Sequence, residues 1–99
     1  MILLFAGCKE DIINEDKALA DFSMKYLWST DKVACFRFIN KSTNIHSCNW
    51  SFGDGTGSSA INPVHHYYWS NNFRVRLKIL NALWECDSIV KYINIQVQP

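Results

Sequence analysis

Three histidines, four cysteines and nine acidic side chains are the groups in this 99-residue chain able to move protons, hold a metal or act as nucleophiles. Their spacing favours none of these chemistries. His65 and His66 are adjacent in a strand-like segment, so their rings point to opposite faces and cannot easily share one metal ion. His46 lies in a turn with no paired ligand nearby in sequence. There is no His-x-x-x-His, no Cys-x-x-Cys and no Gly-x-Ser-x-Gly elbow. The histidines are therefore read as structural, no residue is assigned a catalytic role, and no metal or cofactor is expected. An enzymatic reading would rest on the histidines alone.

Recognition chemistry is better represented. Arg74, Arg76 and Lys78 alternate with Phe73, Val75, Leu77 and Ile79, so a strand here carries a basic stripe on the face opposite its apolar one. If the last strand pairs beside it, Tyr92, Asn94 and Gln96 join the same outward face. Arginine, tyrosine and asparagine together make a credible recognition surface. The plainer alternative is a solvated face with edge-protecting charges. Tyr68, Trp69 and Trp84 form a second candidate set, the first two in a loop and the third at a hairpin tip. Such rings either stack on sugars or pack back over the ends of the fold.

The elements that must position these groups are strands. From about Asp21 the pattern alternates with period two. Phe22, Met24 and Tyr26, with Trp28 continuing the series, are expected on one face. Ala34, Phe36 and Phe38 oppose Cys35 and Arg37, and Cys48, Trp50 and Phe52 oppose Asn49 and Ser51. Ser58-Ser59 begins a short strand or irregular edge, and Asn62-Pro63 suits a sheet edge or crossover. Phe73 to Ile79 and Ile93, Ile95, Val97 close the pattern, joined by Asn81 to Glu85. About seven short strands with frequent turns indicate a two-sheet sandwich, all-β and antiparallel. Composition agrees: 48% apolar and 14% aromatic residues can fill one small core. The formal charge of +1 points neither to nucleic acid nor to an acidic substrate.

Residues 50 to 67 sharpen this. Trp50-Ser51-Phe52-Gly53-Asp54-Gly55 runs an apolar strand into a tight turn, and Asn62-Pro63-Val64-His65-His66-Tyr67 follows. Gly53 and Gly55 can take positive φ freely, and the Asp54 carboxylate can cap the turn. With Phe36 to Ser42 before and the Phe73 and Ile93 strands after, the set resembles the polycystic kidney disease (PKD) domain over about residues 20 to 98. That family is an immunoglobulin-like β-sandwich of extracellular and cell-surface proteins. The resemblance implies a non-enzymatic module for protein or carbohydrate contact, or a spacer. It also implies that Asp54, His65 and Tyr67 are architecture, and that Trp50 fills the space between the sheets. Some relatives bind calcium through turn oxygens, which here would lie around Asp31, Asp54 or Asp87, but the spacing is not diagnostic. Ser51 stands where the family usually has Asp, and Ser70-Asn71 where it has Pro-Gly. Asparagine tolerates positive φ, so Asn71 is expected to preserve that turn.

The first residues carry a different signal. Met1 to Ala6 is apolar, Gly7-Cys8 follows, and the chain then turns charged. This resembles the end of a bacterial lipoprotein signal, with Cys8 as the lipidated residue. The run lacks a basic start, is too short for a complete signal, and has Phe5 where Leu is usual, so a start site upstream is expected. It is far too short to cross a membrane. Lys9-Glu10-Asp11 resembles the surface-export tag of Bacteroidetes lipoproteins, and equally reads as a charged tether. Residues 9–19, with four acids and two lysines, are expected to be a flexible linker, and 20–99 the sandwich domain.

Lipidation of Cys8 would leave Cys35, Cys48 and Cys86, an odd number in an oxidising compartment. In the immunoglobulin-like topology implied by the resemblance, Cys48 and Cys86 fall at the same end. A Cys48–Cys86 disulfide is one expectation; three reduced thiols is the other. The combined expectation is a lipid-anchored protein of the bacterial outer membrane or cell surface, contacting a surface protein or polysaccharide. The alternative is a glycan-binding module using the loop aromatics.

Overall fold

The computed structural model describes residues 17–98. Seven strands follow in order: β1 (Phe22–Ser29), β2 (Ala34–Asn40), β3 (Ser47–Ser51), β4 (Gly57–Ser58), β5 (Val64–Tyr67), β6 (Asn71–Leu80) and β7 (Cys86–Ile95). They form two antiparallel sheets, β1-β2-β5 and β4-β3-β6-β7. This is the all-β, immunoglobulin-like sandwich that the alternation and the turn motif together predict.

The core is where the inward faces meet. Phe73, Val75, Leu77 and Ile79 of β6 are fully buried, joined by Ile93 and Ile95 of β7 and by Phe22 and Phe38 from the facing sheet. Trp50 is 1% exposed, with its ring 5.0 Å from Phe22 edge-on and 5.6 Å from Phe38. A tryptophan in this position removes about 150–250 Å² from water. Its indole N–H is not orphaned, because it donates to the Ala60 carbonyl at 2.9 Å.

Each margin of the sandwich is tied shut by a polar contact between sheets. At the β1/β7 margin, Lys91 Nζ donates to the Phe22 carbonyl (2.5 Å), pairs with Asp21 (3.1 Å) and lies over the Phe22 ring. At the opposite margin, the turn after β3 meets β5 through Asp54, His65 and Tyr67. Asn62-Pro63 extends the cover of β2: Phe38 N–H donates to the Pro63 carbonyl and Asn40 N–H to Asn62 Oδ1.

Strand β1 departs from simple alternation. A bulge between Tyr26 and Trp28 shifts the register, so Trp28 lies opposite Cys35 rather than continuing the inward series. Trp28 is 46% exposed, and Tyr26, opposite Phe36, is 57% exposed. Cys35, expected on the face opposite Ala34, Phe36 and Phe38, is 1% exposed. Its flanking partners across the sheet are Trp28 and His66, whose rings meet at 5.5 Å. Strands β1 and β5 are about 9–10 Å apart across β2, so these rings must lean together over the thiol.

Two further expectations change. Asn71 opens β6 and is not at positive φ; among the described residues only Asn44 and Trp84 are non-glycine residues there. The packed unit also begins before residue 20. Ala18 is buried in the core, Leu19 bridges to Thr43, and Ala20 N–H donates to Asp87 Oδ2. The expected lipidation site, Cys8, and most of the expected linker lie outside the described residues.

Candidate functional site

The Gly-Asp-Gly turn is built from both sides. Gly53 and Gly55 take φ of 88° and 90°. Gly53 presses against β6 so closely that a Cβ would lie 2.7 Å from the Arg74 backbone N and O. Phe52 N–H donates to the Thr56 carbonyl, closing the loop. Asp54 Oδ1 accepts from the Thr56 N–H and hydroxyl, and its Oδ2 lies 2.7 Å from His65 Nε2. Burial pushes the Asp54 carboxyl up, but the Thr56 and His65 hydrogen bonds outweigh it and hold the group below its ordinary value. An ionised carboxylate only accepts, so His65 Nε2 carries the proton in this contact.

The imidazole is itself sandwiched. It stacks on Phe52 at 4.1 Å and meets Tyr67 edge-on at 4.7 Å. Tyr67 is fully buried, stacks on Phe73, and donates its hydroxyl to the Phe52 carbonyl at 2.9 Å. Burial drives the Tyr67 phenol well above its usual range. The constellation has an acid, a base and a hydroxyl, but both Asp54 oxygens, His65 Nε2 and the Tyr67 hydroxyl serve the turn. It can fix a backbone; it presents no unsatisfied nucleophile.

No group of three or more His, Cys, Asp or Glu side chains converges among the described residues. Asp31, Asp54 and Asp87 do not form a ligand set. Gly53, next to Asp54 in the chain, packs on Arg74, whereas Asp87 lies opposite Ile79, five residues and about 16–17 Å further along β6.

The Cys48–Cys86 disulfide does not form. Strand β6 lies between β3 and β7, placing the two cysteines about 9–10 Å apart across the sheet. A disulfide needs Cα atoms within about 7 Å. They also face opposite ways, since Cys48 is paired with buried Ile79 and Cys86 with Leu80. Cys48 is a free thiol directed at the Ala60 carbonyl, and Cys35 is also free. Burial raises both thiols above their usual value.

The aromatic set is divided. Tyr68 and Trp69 precede β6 and Trp84 follows it, at opposite ends of a ten-residue strand about 33 Å long. They cannot form one site. Trp69 packs edge-on against Phe73, and Trp84 against His46. Tyr68 instead continues a row with Trp28 and His66 on the outer face of the three-stranded sheet. The bulge that recruits Trp28 has no signature in residue types, so this row was not legible beforehand.

The basic stripe runs along β6. Arg74 lies directly opposite Tyr92, Arg76 opposite Val90 and Ser51, and Lys78 opposite Ser88 and Asn49. Arg74, Arg76 and Tyr92 are exposed. Gln96 lies just past β7, its amide donating to Asn94 Oδ1.

A sequence model of the PKD domain matches residues 30–95. The chain belongs to the PKD domain family. Among solved structures, this PKD domain is similar to the PKD1 domain of Vibrio anguillarum Epp, with a TM-score of 0.70 and 22% identity over 82% of this chain and 95% of that one. It is also similar to the PKD1 domain of the Vibrio cholerae metalloprotease PrtV, with a TM-score of 0.65 and 20% identity over 79% and 98% of the two chains. At these identities the likeness establishes the fold. No curated protein matches. Trp50, Phe52, Gly53, Asp54, Gly55, Asn62, Pro63, His65 and Tyr67 all fall inside the matched region of the PKD domain.

Proposed function

We propose that this PKD domain is a non-enzymatic contact module, tethered to a bacterial outer membrane or cell surface through a lipidated Cys8, and engaging a surface protein or polysaccharide. The observation that carries the reading is the outer face of the four-stranded sheet, where Arg74, Arg76 and Lys78 stand beside Tyr92 without a salt bridge among the described residues. His65 and Asp54, an imidazole–carboxylate pair of the kind that moves protons, are committed to each other in the turn. Arrays of envelope proteins and polysaccharides test the face. Wild type should be retained on at least one, and an Arg74→Ala/Arg76→Ala/Tyr92→Ala variant released. Equal retention of both would dismiss the face, and turnover of a probe lost on His65→Gln would dismiss the non-enzymatic reading. Radiolabelled palmitate incorporation that survives Cys8→Ser would dismiss the tether.

A second reading places glycan stacking on the other sheet. It is favoured by the row of exposed Trp28, half-buried His66 and exposed Tyr68, with ring centroids 5.5 and 6.3 Å apart. Loss of neutral-glycan retention in Tyr68→Ala, with Arg76→Ala unaffected, would select it.

A further inference from the structure

The formal charge of +1 conceals a strong local asymmetry. Three of the chain's ten cations project from alternate positions of β6 onto one sheet face. Their Cα atoms are about 6.6–6.8 Å apart, so the column spans about 13 Å. No outward position on β3, β6 or β7 holds a carboxylate; those positions carry serine, asparagine, tyrosine and a few apolar residues. The five acids among the described residues are all elsewhere. Asp21 pairs with Lys91, Asp54 with His65, Glu85 accepts from Asn81, and Asp87 accepts from Ala20. Like charges held in a column without counter-charges among the described residues repel, and an anionic partner relieves that repulsion.

A depression of about 360 Å³ lies between β3 and β6, lined by Ser47, Asn49, Ser51, Arg76, Lys78 and Leu80. Its hydroxyl and amide groups both donate and accept hydrogen bonds, as sugar hydroxyls do. An extended peptide instead docks by laddering onto a sheet edge, and this face offers side chains rather than backbone groups.

We infer that this face binds an acidic polysaccharide, a chain of uronate or sulfated sugar units lying along β6. Arg76 and Lys78 hold successive anionic groups, Ser47, Asn49 and Ser51 bond a ring seated in the depression, and Tyr92 offers an exposed ring beside Arg74. This rests on the contact-module reading and names the chemistry of its partner.

The test is titration of the full chain with polygalacturonate, heparin, dextran and polyglutamate. Binding is expected to polygalacturonate or heparin and not to dextran, weakening as salt is raised because exposed charges are screened. The two acidic glycans separate carboxylate from sulfate recognition. Arg76→Gln/Lys78→Gln should weaken binding roughly tenfold or more, with an unchanged melting curve, and Lys78→Arg should retain it. Dextran binding as strong as that of the acidic glycans, or an unimpaired double variant, overturns the inference. Binding of polyglutamate alone overturns the polysaccharide class while leaving the contact module standing. Silence towards all four overturns the inference too, and the envelope-protein array then decides the broader reading separately.

Discussion

Asp54 Oδ2 and His65 Nε2 are 2.7 Å apart, joining the turn after β3 to the strand that edges the opposite sheet. This one contact couples a loop conformation to closure of the sandwich margin. It also commits two catalytic residue types to the turn: the imidazole is stacked between Phe52 and Tyr67, and the carboxylate is already hydrogen-bonded.

The coupling makes stability acid-sensitive. Asp54 has a folded-state value below its unfolded one, so its contribution is fully present above the unfolded value near 3.8 and is lost as pH falls through the folded value. Denaturant titrations from neutral pH into acid should show that slope, and Asp54→Asn should flatten it. At neutral pH the same variant should cost about 1–3 kcal/mol, the usual effect of breaking a hydrogen bond to a buried charged group.

The two glycines of the turn should differ. Gly55→Ala meets nothing within 4 Å and bears only the left-handed backbone cost, about 1–2 kcal/mol. Gly53→Ala adds a collision with the Arg74 backbone, which cannot move without disturbing the β6 ladder. Melting temperatures should fall further for Gly53→Ala; equal losses would mean that contact is unimportant.

Lys91 should matter more than its partial exposure indicates. Its ammonium bonds the Phe22 carbonyl as well as Asp21, whose carboxyl is held low chiefly by the Lys91 hydrogen bond. Lys91→Met should therefore lower the melting temperature more than Asp21→Asn. In the Lys91→Met background, the Asp21 substitution should have little further effect. Additive losses in that double-mutant cycle would show that the two residues act independently.

Trp84 occupies a left-handed conformation (φ 64°) while 72% exposed. Trp84→Gly removes that strain and costs one exposed contact with His46. Its unfolding free energy should change by less than about 1 kcal/mol in either direction. A larger loss would show that the ring is a structural element of the hairpin.

Cys35 and Cys48 are buried, free thiols raised above their usual range. Maleimide labelling of both should be slow in the folded protein and rapid in denaturant. Fast labelling of Cys35 under native conditions would mean that Trp28 and His66 do not cover it.

The parts that could be read from residue order are those where one residue type answers one local demand. Trp50 in an alternating strand, the glycines flanking Asp54, and the β6 stripe each follow from period and turn chemistry. Features made by pairing were hidden. The Tyr26/Trp28 bulge comes from the way β1 registers against β2, and it moved Trp28 to the outer face. The Cys48–Cys86 expectation failed because β6 intervenes, a fact of strand order that sequence spacing does not carry. Lys91 did leave a trace, as a charge at an inward parity position between Ile89 and Ile93, which only a facing acceptor makes intelligible.

The described chain enters beside Asn44, which bonds the Lys17 carbonyl, and leaves beside Asp31 and Ser70, which accept from Gln98 and donate to Val97. These points lie at opposite ends of β6. A pull applied at both would run parallel to the strands, loading many ladder bonds at once instead of unzipping them singly. Lys17 and Gln98 are thus set about one strand length, some 33 Å, apart along the sheet, an arrangement that resists tension in shear.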